Sequence, residues 1–196
     1  MKKLAALLLT GAMGLCLAGC GQNIPVAAAD GAEWDDNWVT VGGIVGVETP
    51  AGLDSRENND TLGANGMYYA TWSSGEAEPY VNEDGKDTDL YDAQVYLLLA
   101  GSKSAGGAEE SAAEWVEMAS ERYNIGTTSA ETYNGQEFTV ITYTFSSETN
   151  PYTYGASAFG VYRNYAVSAE VSCRESYDGD AKTVLAGFLE NCHYAA

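Results

Sequence analysis

Basic residues are scarce in this chain. Nine Lys and Arg stand against 28 Asp and Glu, with a single histidine, for a net charge of −19. Nucleic acid is excluded as a partner, because affinity for it rests on neutralising phosphates with a basic face. Anionic lipid headgroups would repel the folded part too. The acid surplus reads as solubility and non-adhesion rather than as recognition of a cationic partner. Histidine, the usual proton carrier near neutral pH, is nearly absent. His193 stands three residues from the C-terminus, and an exposed place at a helix end is expected for it. A metal site of the His/Cys kind lacks ligands. There is no P-loop and no G-x-G-x-x-G. Gly155-Ala-Ser157-Ala-Phe159 carries Phe where a nucleophile elbow needs its second glycine. Ser102 and Lys103 are neighbours rather than an S-x-x-K pair. Calcium alone has enough oxygen donors, but aligning Gly85 as the sixth loop position puts Tyr80 and Tyr91 where acids are required. No metal, no cofactor and no catalysis are therefore expected.

Long apolar runs are also missing, with one exception at the start. Lys2 and Lys3 precede an uncharged stretch rich in Leu, Ala and Gly, and Leu17-Ala18-Gly19-Cys20 closes it. The stretch is short for a membrane span and ends in small residues before a cysteine, as a processed targeting segment does. It looks like a bacterial lipoprotein signal, in which Cys20 takes up the lipid and becomes the new N-terminus. Residues 1–19 are then the signal peptide, 20–33 a lipidated N-terminus and tether, and 34–196 a single domain. The mature chain would keep seven basic residues against all 28 acids, a net charge of −21. Its expected place is outside the cytoplasm, held to the cell membrane or outer envelope by acyl chains.

Two cysteines remain, Cys173 and Cys192. An even pair in an exported chain can form a disulfide, but Cys173 would end a strand and Cys192 a helix of about 12 residues, some 18 Å long. Bridging needs Cα atoms within about 7 Å. The pair is left open between a disulfide and two buried thiols.

Along the domain, residues 38–49 form a β-rich run stopped by Pro50-Ala51-Gly52, and residues 54–65 read as a polar loop. Strands are predicted over 67–72 and 91–99, joined by a long acidic connection over 73–89. Residues 106–124 form the clearest helix: Ala112, Trp115, Val116, Ala119 and Tyr123 share one side, with Glu110, Glu114, Glu117 and Glu121 opposite. Glu109 and Glu110 suit its N-terminal end. Hairpins follow, 127–133 with 136–145 around Asn134-Gly135, and 156–162 with 165–173 around Arg163-Asn164. Asp180 is the predicted N-cap of a last helix with Ala181, Val184, Leu185, Phe188 and Cys192 on one side. The fold class is α+β, an antiparallel sheet of about six to seven strands packed against helices.

That order resembles the PsbP-like fold of bacterial lipoproteins, including the DcrB-like group. The likeness is carried by Val47-Glu-Thr-Pro-Ala-Gly-Leu53, by Glu137-Phe-Thr-Val-Ile-Thr-Tyr143 after the Asn-Gly turn, and by residues 165–173 followed by Val184-Leu-Ala-Gly-Phe-Leu189. The acidic stretch 73–89 is an addition to the pattern. The resemblance implies an accessory, binding or assembly protein with no shared catalytic residues.

Fourteen tyrosines and four tryptophans are many for this length. Tyr68, Trp72, Tyr80, Tyr152, Tyr154 and Tyr177 fall in or near predicted loops, and Tyr152 and Tyr154 are the foremost ligand-contact candidates because their segment has little core to join. A non-catalytic binding or accessory domain with a protein or glycan partner is the leading expectation. An envelope-assembly lipoprotein is the second, and a hydrolase the third. For the hydrolase the best acid is Glu170, on the mixed face of the last long strand among tyrosines.

Overall fold

A computed structural model describes residues 38–59, 67–82, 85–146 and 150–195. Cys20, the signal segment, the tether and the domain's first residues lie outside the described residues. So do residues 83–84 of the loop weighed for calcium.

Every strand pairing among the described residues is antiparallel. The main sheet has seven strands: β3 (Asp54–Asn59), β4 (Met67–Ser74), β7 (Ala93–Gly101), β11 (Tyr165–Cys173), β10 (Tyr154–Tyr162), β9 (Gln136–Thr144) and β8 (Asn124–Tyr133), in that spatial order. Two small sheets accompany it. One joins β1 (Trp38–Val41), β2 (Val45–Glu48) and β12 (Cys192–Tyr194), and the other is the hairpin of β5 (Glu78–Val81) and β6 (Asp87–Leu90). Helix α1 (Ala105–Arg122) lies on one face of the main sheet, and α2 (Ala181–Glu190) with the three-stranded sheet covers the other.

The two faces follow from alternation. On β11, Val167, Ala169, Val171 and Cys173 point toward α2, where Leu185, Phe188 and Trp72 fill the larger core. Ala166, Ser168, Glu170 and Ser172 take the other face, where Trp115 and Ala119 of α1 meet Phe159 and Ile141. Ser104 caps α1 through Gly107 N–H at 3.1 Å, and Asp180 caps α2 through Thr183 N–H at 2.8 Å. Asn134 (φ 43°) and Gly135 (φ 78°) make the expected tight turn between β8 and β9.

Several expectations need correction. Residues 38–49 are two strands, because Gly42 and Gly43 adopt positive φ and reverse the chain between them. Asp54–Asn59, read as loop, is the edge strand β3, and its polar side chains hid it. The acidic connection holds the β5–β6 hairpin. No acid lies in the first turn of α1, so Glu109 and Glu110 stand a turn further in. His193 is not at a frayed end: it belongs to β12, pairs with Gly46 and packs its ring 4.6 Å from that of Trp38. Cys173 and Cys192 are free, buried thiols, so no disulfide joins them. Both sit within the core on the α2 side, where burial pushes the Cys173 thiol up to about 12.

Trp115, the anchor of α1, is 5% exposed. Trp115→Ala is expected to cost about 3–5 kcal/mol in urea unfolding, as large core truncations do.

Candidate functional site

Helix α1 stands over β10 and β11, so the β3–β4–β7 end of the same sheet face has to be finished another way. That end is polar, and the β5–β6 hairpin overhangs it. Between hairpin and sheet lies a cleft of about 620 Å³. Tyr80 and Tyr91 supply its aromatic surfaces, Asp87, Asp89 and Glu57 its carboxylates, and Thr71 and Gln94 its sheet floor. Val81, at 58% exposed, is an apolar side chain left open along the same cleft. Beside it, a small cavity of about 30 Å³ lies between Tyr80, Gln94, Pro151 and Tyr152.

A β-bulge sets the far wall. Ser55 pairs with Trp72 and Glu57 with Thr71, which leaves Arg56 as the extra residue. Arg56 Nε donates to Ser73 Oγ at 2.6 Å, Nη2 lies 3.3 Å from Asp54 Oδ2, and the guanidinium stands 4.6 Å from the Tyr91 ring centroid. Tyr91 is thereby held by a cation–π contact. Glu57 accepts a 2.6 Å hydrogen bond from the Tyr69 hydroxyl, and the Tyr69 ring stacks on Tyr96 at 5.6 Å. The hairpin is tied down by Arg174, whose Nη1 lies 2.8 Å from Glu78 Oε2.

Strand register carries this polar character from the cleft to beneath the helix. Glu57 pairs with Thr71, Thr71 with Tyr96, Tyr96 with Glu170, and Glu170 with Ser157. Glu170 is buried at the helix end of that row. Burial pushes its carboxyl above the ordinary range, opposed by Arg122 and by hydrogen bonds with Tyr123, Tyr143 and Ser157. The same burial, with Glu170 beside them, raises the Tyr123 and Tyr143 phenols strongly. Their rings stack at 4.1 Å, and Ser157 Oγ donates to the Tyr143 hydroxyl at 3.3 Å. Gly155 makes room for Tyr143, since a Cβ there would come within 2.7 Å of its ring. Chemically, this cluster keeps a carboxyl and two phenols in a closed hydrogen-bonded network under α1, whereas the cleft presents rings, amide and carboxylates to solvent.

The structure sorts the sequence candidates plainly. Glu170 is the buried acid among tyrosines that the alternation of β11 pointed to. Tyr152 and Tyr154 are not open ligand platforms. Tyr152 is 4% exposed with its hydroxyl on Gln94 Oε1, and the Tyr154 hydroxyl donates to the Tyr177 and Gly179 carbonyls. Both rings have core to join, because β10 begins at Tyr154, two residues ahead of the predicted start. Tyr152 still borders the small cavity. Tyr68 and Trp72 are buried as well, and of the six loop aromatics Tyr80 faces the cleft. Sequence reasoning missed Arg56, Glu57 and Gln94. The first two lie on a strand with no apolar alternation, and Gln94 lies within the predicted third strand without a mark of its own.

No protein-family model matches the sequence, and no curated protein matches it. Solved structures give distant likenesses. A crystal structure from Bacteroides thetaiotaomicron VPI-5482 has a TM-score of 0.47 and 11% identity over 81% of this chain. This chain spans about half of that protein's length, 47%. A solution structure of cyanobacterial PsbP (CyanoP) from Synechocystis sp. PCC 6803 has a TM-score of 0.40 and 12% identity, covering 74% of this chain and 93% of that one. At scores this low the architecture stands on its own strand order and register.

The Glu170 cluster makes a signed prediction. The folded state favours the protonated acid, so its stabilising contribution is complete below the unfolded carboxyl value, about 4.3, and is lost as pH rises through the raised folded value. Glu170→Gln keeps the polar shape and cannot ionise. Urea unfolding should show it gaining on the wild type as pH rises above the unfolded carboxyl value; a difference that does not change with pH would contradict the raised acid.

Proposed function

We propose that this chain is a lipid-anchored, extracytoplasmic lipoprotein with a PsbP-like accessory domain, non-catalytic, whose β5–β6 cleft binds a neutral or amino-sugar glycan. The observation that carries the binding reading is the cleft itself. It is concave, with aromatic surfaces and a few polar groups that converge on it, which is how small-ligand sites are built. Tyrosine rings give apolar faces for the C–H faces of a sugar and hydroxyls for its rim. The carboxylates Glu57, Asp87 and Asp89 and the amide of Gln94 are hydrogen-bond partners for sugar hydroxyls, and the local negative charge turns away phosphorylated or carboxylated polymers. The anchoring half of the reading is supported by Leu17-Ala18-Gly19-Cys20 after its apolar run.

Two preparations test the two halves. Intact protein from membranes should yield a diacylglyceryl-modified Cys20 as its first residue by mass spectrometry. The domain cut after Cys20 should bind neutral or amino-sugar ligands on a glycan array. Tyr80→Ala should weaken that binding by about tenfold, roughly 1.4 kcal/mol. An unacylated N-terminus elsewhere overturns the anchor, and array binding indifferent to Tyr80→Ala overturns the cleft.

A further inference from the structure

We propose that the free edge of β8, with the groove beside it, is a docking strand for an extended, basic segment of another protein chain. Among the described residues β8 is the last strand of the main sheet and pairs with β9 alone. The Asn134-Gly135 turn sets which of its backbone groups are unused. In a two-residue hairpin the residues flanking the turn share both ladder hydrogen bonds, and the pattern alternates along the strand. Tyr133, Glu131 and Ser129 therefore face β9, across from Gln136, Phe138 and Val140. Thr132, Ala130 and Thr128 turn their N–H and C=O groups outward, and all three are exposed.

Edges of this kind are normally blunted by lysine, proline, shortness or bulges. β8 is ten residues long with no Pro and no Lys, and its bulge, between Ile125 and Thr127, touches only its start. The one acid of the strand, Glu131, is taken up on the α2 side, where Lys182 Nζ lies 2.5 Å away and holds the carboxyl down at about 2. On the α1 side the strand borders a groove of about 580 Å³, walled by Ala112 and Val116 of α1 and floored by Phe159 and Val161. A strand added to β8 would set every second side chain along the β8 rim of that groove, beside Ala130 and Thr132.

Charge selects the occupant. Glu109 and Glu137 border the groove, and the chain carries −19. A second copy would bring the same charge. The chain's own residues 20–33 include Asp30 and Glu33 and no base. A partner with Lys or Arg alternating with small apolar residues answers both the rim and the groove. This surface is separate from the glycan cleft and does not rest on it.

The probe is a labelled octapeptide of alternating Lys and Val, titrated into the domain cut after Cys20, beside a Glu/Val octapeptide. Ala130→Pro removes one outward N–H and leaves the pairing with β9 in place; near-ultraviolet circular dichroism checks its fold. The Lys/Val peptide should bind, weaken as salt is raised, lose about tenfold in affinity in Ala130→Pro, and slow hydrogen exchange at Thr128, Ala130 and Thr132. Equal binding of both peptides, undiminished binding by Ala130→Pro, or a dimer whose β8 amides are protected without peptide would overturn the proposal.

Discussion

One geometric mismatch governs this molecule. A sheet of seven strands is about 29 Å wide at the usual spacing, and a single helix covers about 10 Å of it. On the α2 face the shortfall is made good by the three-stranded sheet, whose Val41, Ile44, Val45 and Val47 extend the core. On the opposite face α1 covers β10 and β11, and among the described residues nothing comparable flanks it. The two uncovered ends must carry something other than bare apolar surface. At the β3 end the answer is a polar floor under the β5–β6 hairpin, and at the β8 end it is an open groove beside a strand rich in threonine.

The polar row on that face joins these solutions. From Glu57 to Ser157 it runs in register across five strands, exposed at one end and buried at the other. An acid as deep as Glu170 is costly unless its surroundings satisfy it, and here two phenols, a serine and a nearby arginine do so. Perturbed carboxyls gather at functional sites and in structural networks alike. In this domain the perturbed acid sits under the helix, and the carboxylates open to a ligand sit in the cleft.

Legibility followed side-chain contrast. Where apolar and polar residues alternate or recur with helical period, the chain could be read almost to the residue: Tyr165–Cys173 coincides with β11, and Asp180 caps α2 as expected. Where the pattern is uniformly polar, as in Asp54–Asn59, or very short, as in β12, strand formation depends on a neighbour distant in sequence and leaves no local mark. Residues 38–49 misled in the opposite way, since an uninterrupted β-rich run concealed the Gly42-Gly43 reversal. The cleft inherits these blind spots. Its ring Tyr80 was in view, but Arg56 and Glu57 come from the unread strand, and the bulge that aims them is a property of pairing rather than of sequence. The segment of Tyr152 and Tyr154 has the residue pattern of a loop, yet both hydroxyls close internal hydrogen bonds.

In the function proposed above, the β5–β6 hairpin serves the ligand and not the sheet. Ser74 already pairs with Ala93, so β4 and β7 are neighbours without it. The direct measurement replaces residues 75–92 by an Asn-Gly turn and follows thermal unfolding and glycan-array binding together. The expected result is a cooperative transition within about 5 °C of the parent, a change on the order of 1 kcal/mol for a domain of this size, with array binding lost. A domain that no longer folds, or one that binds as before, would contradict it.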